Sequence, residues 1–271
     1  MFADRTPHDS ARDWRESLQW IILASLGTLI PLGFGFICKG HLAGGTLIYN
    51  PTQFIGLSIV LTVSIPFAVK ANHQLGLPGG PLIIATLNRE PRPYPWREVF
   101  LGGVLWSVIF FLLSLIAVFI GAGLLLYFFP WFIPHFLRHR VSGAPIVKRS
   151  ETWLVSSIVI SAVSAGVQEE ILFRFVLMGV FSRALMTIGG RVDQPPSRKQ
   201  LWLANTMQAY CFGVAHLLPD IHLTTGIVGL GEVVIRSLVQ PQTFTGVFLG
   251  WLYLRSGLET SMVSHIFFDL L

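Results

Sequence analysis

The sequence predicts an all-α fold, a polytopic transmembrane helical bundle of about seven or eight helical segments with its polar site between helices, and three observations predict it. First, 52% of the 271 residues are hydrophobic and 12% are charged, against roughly 25% charged in ordinary soluble domains. So few polar groups could not cover the apolar surface of a soluble globule, which makes lipid the solvent for most of the chain. Second, several apolar runs approach the roughly 20 residues that cross a bilayer core. Third, the apolar residues do not alternate in the segments of about ten residues that mark an outer-membrane barrel.

The formal net charge of +5 and pI near 9.6 come from basic residues scattered through connecting segments. That distribution fits a positive-inside bias and argues against nucleic-acid binding, which needs a groove-like run. Cys38 and Cys211 each sit in an apolar stretch and read as packed free thiols rather than a disulfide framework. Residues 1–17 mix Asp4, Arg5, Asp9, Arg12, Asp13, Arg15 and Glu16. This is a polar, water-exposed lead-in and not the short basic start of a cleavable signal.

Residues 18–38 form the first expected span, with Trp20 as interfacial anchor and Lys39 as stop. Residues 53–69 form a shorter one ending at Lys70. Residues 70–98 are turn-rich: Leu77-Pro78-Gly79-Gly80-Pro81 breaks any helix, and Arg89, Arg92 and Arg97 mark a solvent-facing loop. Residues 100–133 run for about 34 positions without a charge, more than one untilted span requires. Gly121-Ala122-Gly123 offers a hinge there, and Pro130, Trp131 and Pro134 place the far end at the interface. A basic loop follows at 135–151, then an apolar run at 153–167, a loop at 183–199 broken by Gly189-Gly190 and Pro195-Pro196, and a span at 201–218. Glu232 and Arg236 are four apart and could pair on one helix face. Residues 244–253 and 258–271 are two apolar segments around Arg255-Ser256-Gly257. The chain divides into the lead-in, N-terminal helices and loops at 18–149, and a C-terminal core at 150–271. All three basic loops cannot lie on one side by simple alternation, so orientation stays open, as does oligomeric state.

Ionisable groups inside apolar segments are costly and should face the protein interior. Three clusters qualify. In Glu169-Glu170-Ile171-Leu172-Phe173-Arg174, Glu170 and Arg174 share a helical face and neutralise each other. Glu169 is turned about 100° away. A buried carboxylate with no cation partner is a competent proton acceptor, although the cluster also reads as an ion-pair lock between helices. In Phe212-Gly213-Val214-Ala215-His216, small residues let another backbone approach, and a lone histidine there is commonly a packed one. In His265-Ile266-Phe267-Phe268-Asp269 the two polar residues share a face, giving an orienting hydrogen bond or a surface carboxylate. Together these clusters supply a base, a proton donor and an oxyanion stabiliser, the parts that water attack on a peptide bond needs.

These residues resemble the CAAX protease and bacteriocin-processing (CPBP, or Abi) family of membrane peptidases. That family shows Glu-Glu-x-x-x-Arg, Phe-x-x-x-His and His-x-x-x-Asn/Asp in order on separate helices. Here they stand as Glu169-Glu170…Arg174, Phe212…His216 and His265…Asp269, with 245–253 similar to the segment before the third motif. The resemblance covers about residues 150–271; the first half is similar only in being apolar and multi-span. It implies that Glu169 and His216 activate water, that His265 with Asp269 holds the oxyanion, and that Glu170, Arg174 and Phe212 are structural. Many members carry Asn at the last position. Asp269 donates only when protonated, so it could instead orient His265 by accepting its ring proton.

The resemblance implies a peptide or prenylated-protein substrate cleaved near the membrane surface; the family has been described both as metallo- and as glutamate-dependent, and the metal-free glutamate mechanism, with no cofactor, is the one favoured here. Zinc is the alternative, on Glu169, His216 and His265, a ligand set that leaves an open water position; no His-Glu-x-x-His helix fixes a metal locally. Two other classes stay open: a non-enzymatic immunity or scaffold protein whose polar cluster serves structure, and a transporter using buried Glu and His as a proton relay. The latter is weakened by the lack of matching interrupted helices in the two halves. His8, His41, His73, His135 and His139 are expected to be solvated, His222 to lie away from the site, Gly246 and Gly250 to serve helix packing, and Gly79-Gly80 to be a plain loop.

Overall fold

The computed structural model describes residues 10–38, 51–128, 151–190, 194–217, 237 and 240–271, and every regular element among them is helical. The helices are α1 (Ser10–Cys38), α2 (Pro51–Leu75), α3 (Pro81–Asn88), α4 (Trp96–Phe128), α5 (Glu151–Glu169), α6 (Met178–Ile188), α7 (Arg198–Leu217), α8 (Pro241–Ser256) and α9 (Leu258–Leu270). A π-helical stretch, Glu170–Leu177, joins α5 to α6 into one rod, so the described residues form eight helical segments. Pro130, Trp131, Pro134, the basic residues of 135–150, the pair Glu232 and Arg236, and His8, His41, His135, His139 and His222 lie outside the described residues.

Helix ends follow local chemistry. Pro81 and Pro241 open α3 and α8, where a missing N–H costs nothing. Arg89 (φ 57°) closes α3 in the left-handed region, and Gly257 (φ 87°) turns the chain between α8 and α9. Several expected loops prove shorter than the breakers implied. α2 continues to Leu75 and α3 fills part of 70–98; α6 runs to Ile188 and α7 starts at Arg198, inside the expected 183–199 loop. Gly121-Ala122-Gly123 is uninterrupted α-helix. α2 runs through Pro66, so helix propagation outweighs a single breaker there.

One core joins the two halves of the chain: Trp20, Ile65, Val69, Ile171, Phe175, Met178, Tyr253 and Leu258 pack together from α1, α2, the rod, α8 and α9. Small residues set the closest approaches. A Cβ on Gly246 would lie 2.9 Å from the Cα of Ala209, and one on Gly103 2.5 Å from Val263 Cγ1. α7–α8 and α4–α9 are therefore close-packed in the small-residue manner of membrane helices, which includes the expected packing role of Gly246. Ser107 Oγ lies 2.9 Å from the Ser264 carbonyl and 2.7 Å from that of Gly103, tying α4 to α9. Ser164 Oγ donates to the carbonyl of Gly27 at 2.7 Å, tying α5 to α1.

Two expectations are corrected here, and His73, exposed as expected, proves to be paired as well. Gly79-Gly80 is a docked turn: Leu258 N–H donates to the Gly79 carbonyl at 2.9 Å, and Gly80 faces the Trp20 indole too closely for any Cβ. The polar lead-in is helical from Ser10, and Glu16 and Ser17 are buried. His73 is paired, its Nδ1 2.7 Å from Asp13 Oδ1 and its Nε2 2.9 Å from Glu16 Oε2. Each correction rests on a partner far away in sequence. Among the described residues two stretches are long and apolar enough to cross a membrane, Trp96–Ala117 and Ile158–Ile188. Only 17% of the first one's most apolar window is buried, and Leu105, Leu112 and Phe119 are exposed along α4.

Candidate active site

Glu169 is the last residue of α5 and Glu170 the first of the π-helical stretch. The sequence predicts ordinary α-helix through this motif. The wider turn found instead is a rare geometry that recurs at functional sites. Glu170 and Arg174 are fully buried, with Arg174 Nη1 3.2 Å from Glu170 Oε1. Glu170 Oε1 is also 2.8 Å from His265 Nδ1, and Ser261 Oγ sits against Glu170 Oε2 and 3.0 Å from the Leu249 carbonyl. Burying these charges is tolerable only because each has a partner. The Arg174 guanidinium lies 4.6 Å from the ring centre of Phe212, a cation–π contact in a desolvated setting. Phe212 also meets Phe173 edge-on at 5.0 Å and the His216 ring at 4.5 Å. It is the aromatic wall shared by the motifs.

His216 is in the last turn of α7, which Gly213 lets pack against Thr243. Its Nδ1 lies 3.0 Å from the carbonyl of Phe212. A carbonyl only accepts, so Nδ1 carries the proton and Nε2 of the neutral ring presents a lone pair. That Nε2 is 3.8 Å from Glu169 Oε2. His265 Nε2 is 3.8 Å from the same oxygen and 3.7 Å from Asp269 Oδ2. Two imidazoles from two helices thus converge on one carboxylate oxygen, which has no direct hydrogen-bond partner. The cluster is graded in depth: the side chains of Glu169, His216 and Asp269 are 26%, 32% and 34% exposed, and that of His265 is 4% exposed.

The orienting acceptor for His265 differs from the one the spacing predicts. Glu170 holds Nδ1, while Asp269 stands beside Nε2, too far for a direct bond. For the same reason Glu170 and Arg174 are not a self-contained pair but part of a network reaching α9. Ser261 was missed, although its spacing of four from His265 puts both on one face of α9. Among the described residues no group of three or more His, Cys, Asp or Glu side chains is arranged to hold a metal ion. Chemically, the arrangement offers a carboxylate and an imidazole as acceptors at one point, and a second imidazole held from behind by a buried carboxylate.

Residues 151–271 match the family model described as type II CAAX prenyl endopeptidase Rce1-like. The C-terminal part of the chain is thus similar to the CAAX protease type that the three motifs resemble, and all the residues converging on Glu169 lie inside the matched stretch. No curated protein and no solved structure gives a significant match to the chain.

Proposed function

On the premise of an Rce1-like domain at 151–271, we propose that the protein is a multi-pass membrane endopeptidase. It hydrolyses a peptide bond near the membrane surface, in a peptide or a prenylated protein. The observation that carries this reading is the convergence of His216 Nε2 and His265 Nε2 on Glu169 Oε2 at 3.8 Å each. That separation exceeds a direct hydrogen bond but suits one water at about 2.8 Å from each atom. A water donating one hydrogen to Glu169 and the other to the lone pair of His216 keeps its own lone pair free to attack a carbonyl carbon. The released proton stays with this acceptor pair and passes to the leaving amine as the C–N bond breaks. His265 acts as the imidazolium: its Nδ1–H is held by Glu170, and its Nε2–H turns towards the carbonyl oxygen and donates to the oxyanion. Asp269, beside that nitrogen, assists. No metal enters the scheme.

Membrane residence is supported by α4. The most apolar helix of a soluble protein would be buried, whereas only 17% of this one's most apolar window is buried and Leu105, Leu112 and Phe119 are exposed, which is stable against lipid. The test is cleavage of a peptide library and a farnesylated peptide by purified protein in detergent, followed by mass spectrometry with and without chelator. Wild type should cleave and Glu169→Ala should not, and chelator should leave the rate unchanged. Equal product from both proteins would end the catalytic assignment. Activity lost to chelator and regained with zinc would replace the glutamate mechanism by a metallopeptidase.

A further inference from the structure

The π-helical stretch that carries Glu170 and Arg174 is gripped from the half of the chain outside the matched domain. Asn72, near the C-terminal end of α2, is 2% exposed. Its Nδ2 donates to the backbone carbonyl of Phe175 at 3.0 Å. In an α-helix that carbonyl would serve the N–H of residue 179. Within a π stretch bonding shifts by one residue: the N–H of Met178 goes to the carbonyl of Phe173, and a carbonyl at the edge needs another donor. Residue 179 is a glycine, and a Cβ there would lie 2.5 Å from Asn72 Oδ1. Gly179 thus makes the socket that Asn72 fills. Asn72 is itself fixed, its carbonyl accepting from Leu77 N–H at 3.0 Å where α2 ends.

We infer that Asn72 is a positioning residue for the proposed hydrolysis, holding residues 170–177 in the π-helical register that aims Glu169 and Glu170 at His265. The inference rests on the peptidase reading for its kinetic consequence, but not for its structural one. Without the Asn72 donor, the carbonyl of Phe175 recovers an α-helical partner by taking one residue out of the wide turn. That shift rotates the preceding segment by about 100° relative to α6. Glu170 would leave the Nδ1 of His265, and Glu169 would leave the point where the two imidazoles meet.

The test compares Asn72→Leu, which keeps volume and removes the donor, with Ser58→Ala. Ser58 Oγ donates to Thr28 Oγ1 at 2.9 Å, so its removal breaks an α1–α2 polar contact outside residues 170–177 and leaves Thr28 Oγ1 to accept from Gln168 Nε2. Two readouts are needed. One is kcat and KM separately: Asn72→Leu should lower kcat roughly tenfold or more, since displacements near 1 Å cost up to about a hundredfold, with KM changed less than about twofold. The other is the downfield proton resonance of the His265 Nδ1–H···Glu170 bond, assigned by its loss in His265→Gln, which is read without any substrate. It should vanish or move in Asn72→Leu and stay in Ser58→Ala. Gly179→Ala, which pushes on Asn72 from the other side, should reproduce the change if Asn72→Leu does not fold. A variant that keeps the resonance and kcat overturns the inference, as does equal loss in Ser58→Ala. A moved resonance in a wild-type protein that cleaves nothing leaves the positioning role standing and ends the peptidase reading.

Discussion

Glu170→Gln isolates the charge of the buried network from its shape. Gln keeps an oxygen that can accept from His265 Nδ1, but it leaves the Arg174 guanidinium, fully buried, without a counter-charge. At the observed 3.2 Å separation, Coulomb attraction in an effective dielectric near 20 is about 5 kcal/mol. Removing one partner of a buried pair costs about 3–5 kcal/mol, because the other charge stays behind. For a domain of this size each kcal/mol moves the melting temperature by roughly 2–4 °C, so the variant should melt on the order of 10 °C below wild type. The assay is thermal unfolding in detergent, read by tryptophan fluorescence. Replacing both charges, as Glu170→Gln with Arg174→Met, removes the stranded cation and should recover most of the loss, since the penalty arises from the uncompensated buried charge. A single variant melting within about 2 °C of wild type, or a double variant no better than the single, would refute the reasoning.

Glu169→Ala should behave oppositely. Its Oε2 has no direct hydrogen-bond partner and its side chain is 26% exposed, so the melting temperature should stay close to wild type while cleavage falls by roughly 10²–10⁴; a large loss of stability would mean that it is structural. Asp269→Asn supplies a neutral donor beside His265 Nε2, 3.7 Å from Asp269 Oδ2, and kcat should be kept within a few-fold, whereas Asp269→Leu should lose roughly tenfold; equal rates in both would remove Asp269 from the chemistry. His73 between Glu16 and Asp13 predicts a pH effect. The hydrogen bond with Glu16, the largest cause, and then the other contacts of the two carboxylates raise its pKa above 6.5 against an opposing effect of burial. Its stabilisation is therefore complete below about 6.5 and fades as pH rises through the higher folded-state value. The melting-temperature difference between wild type and His73→Ala should shrink from pH about 6 to 9; a difference that grows would refute the assignment.

Local patterns carried much of the site. The i,i+4 spacing of Glu170 and Arg174 reads directly as an ion pair, and the structure has it at 3.2 Å. Gly213-Val214-Ala215 reads as a close approach, and Gly213 meets Thr243. Patterns misled where a distant group competes for the same atom. Spacing offered Asp269 as the partner of His265, but Glu170, 95 positions away, reaches Nδ1 at 2.8 Å. Gly79-Gly80 looked like a plain loop, and the pairing of the exposed His73 left no local mark, because their partners, Leu258, Asp13 and Glu16, lie in other elements.

By itself the sequence determined that the chain is helical, where proline and glycine end its helices, and which few polar side chains an otherwise apolar bundle must gather, because propensity, breakers and the cost of burying charge all act locally or through composition. Only the tertiary structure decided which oxygen faces which nitrogen, and that residues 170–177 wind as a π-helix with Asn72 against the buried carbonyl of Phe175. Those outcomes depend on the rotational phase of one packed helix against another, which is set by the sum of many side-chain contacts and leaves no periodic mark in the chain.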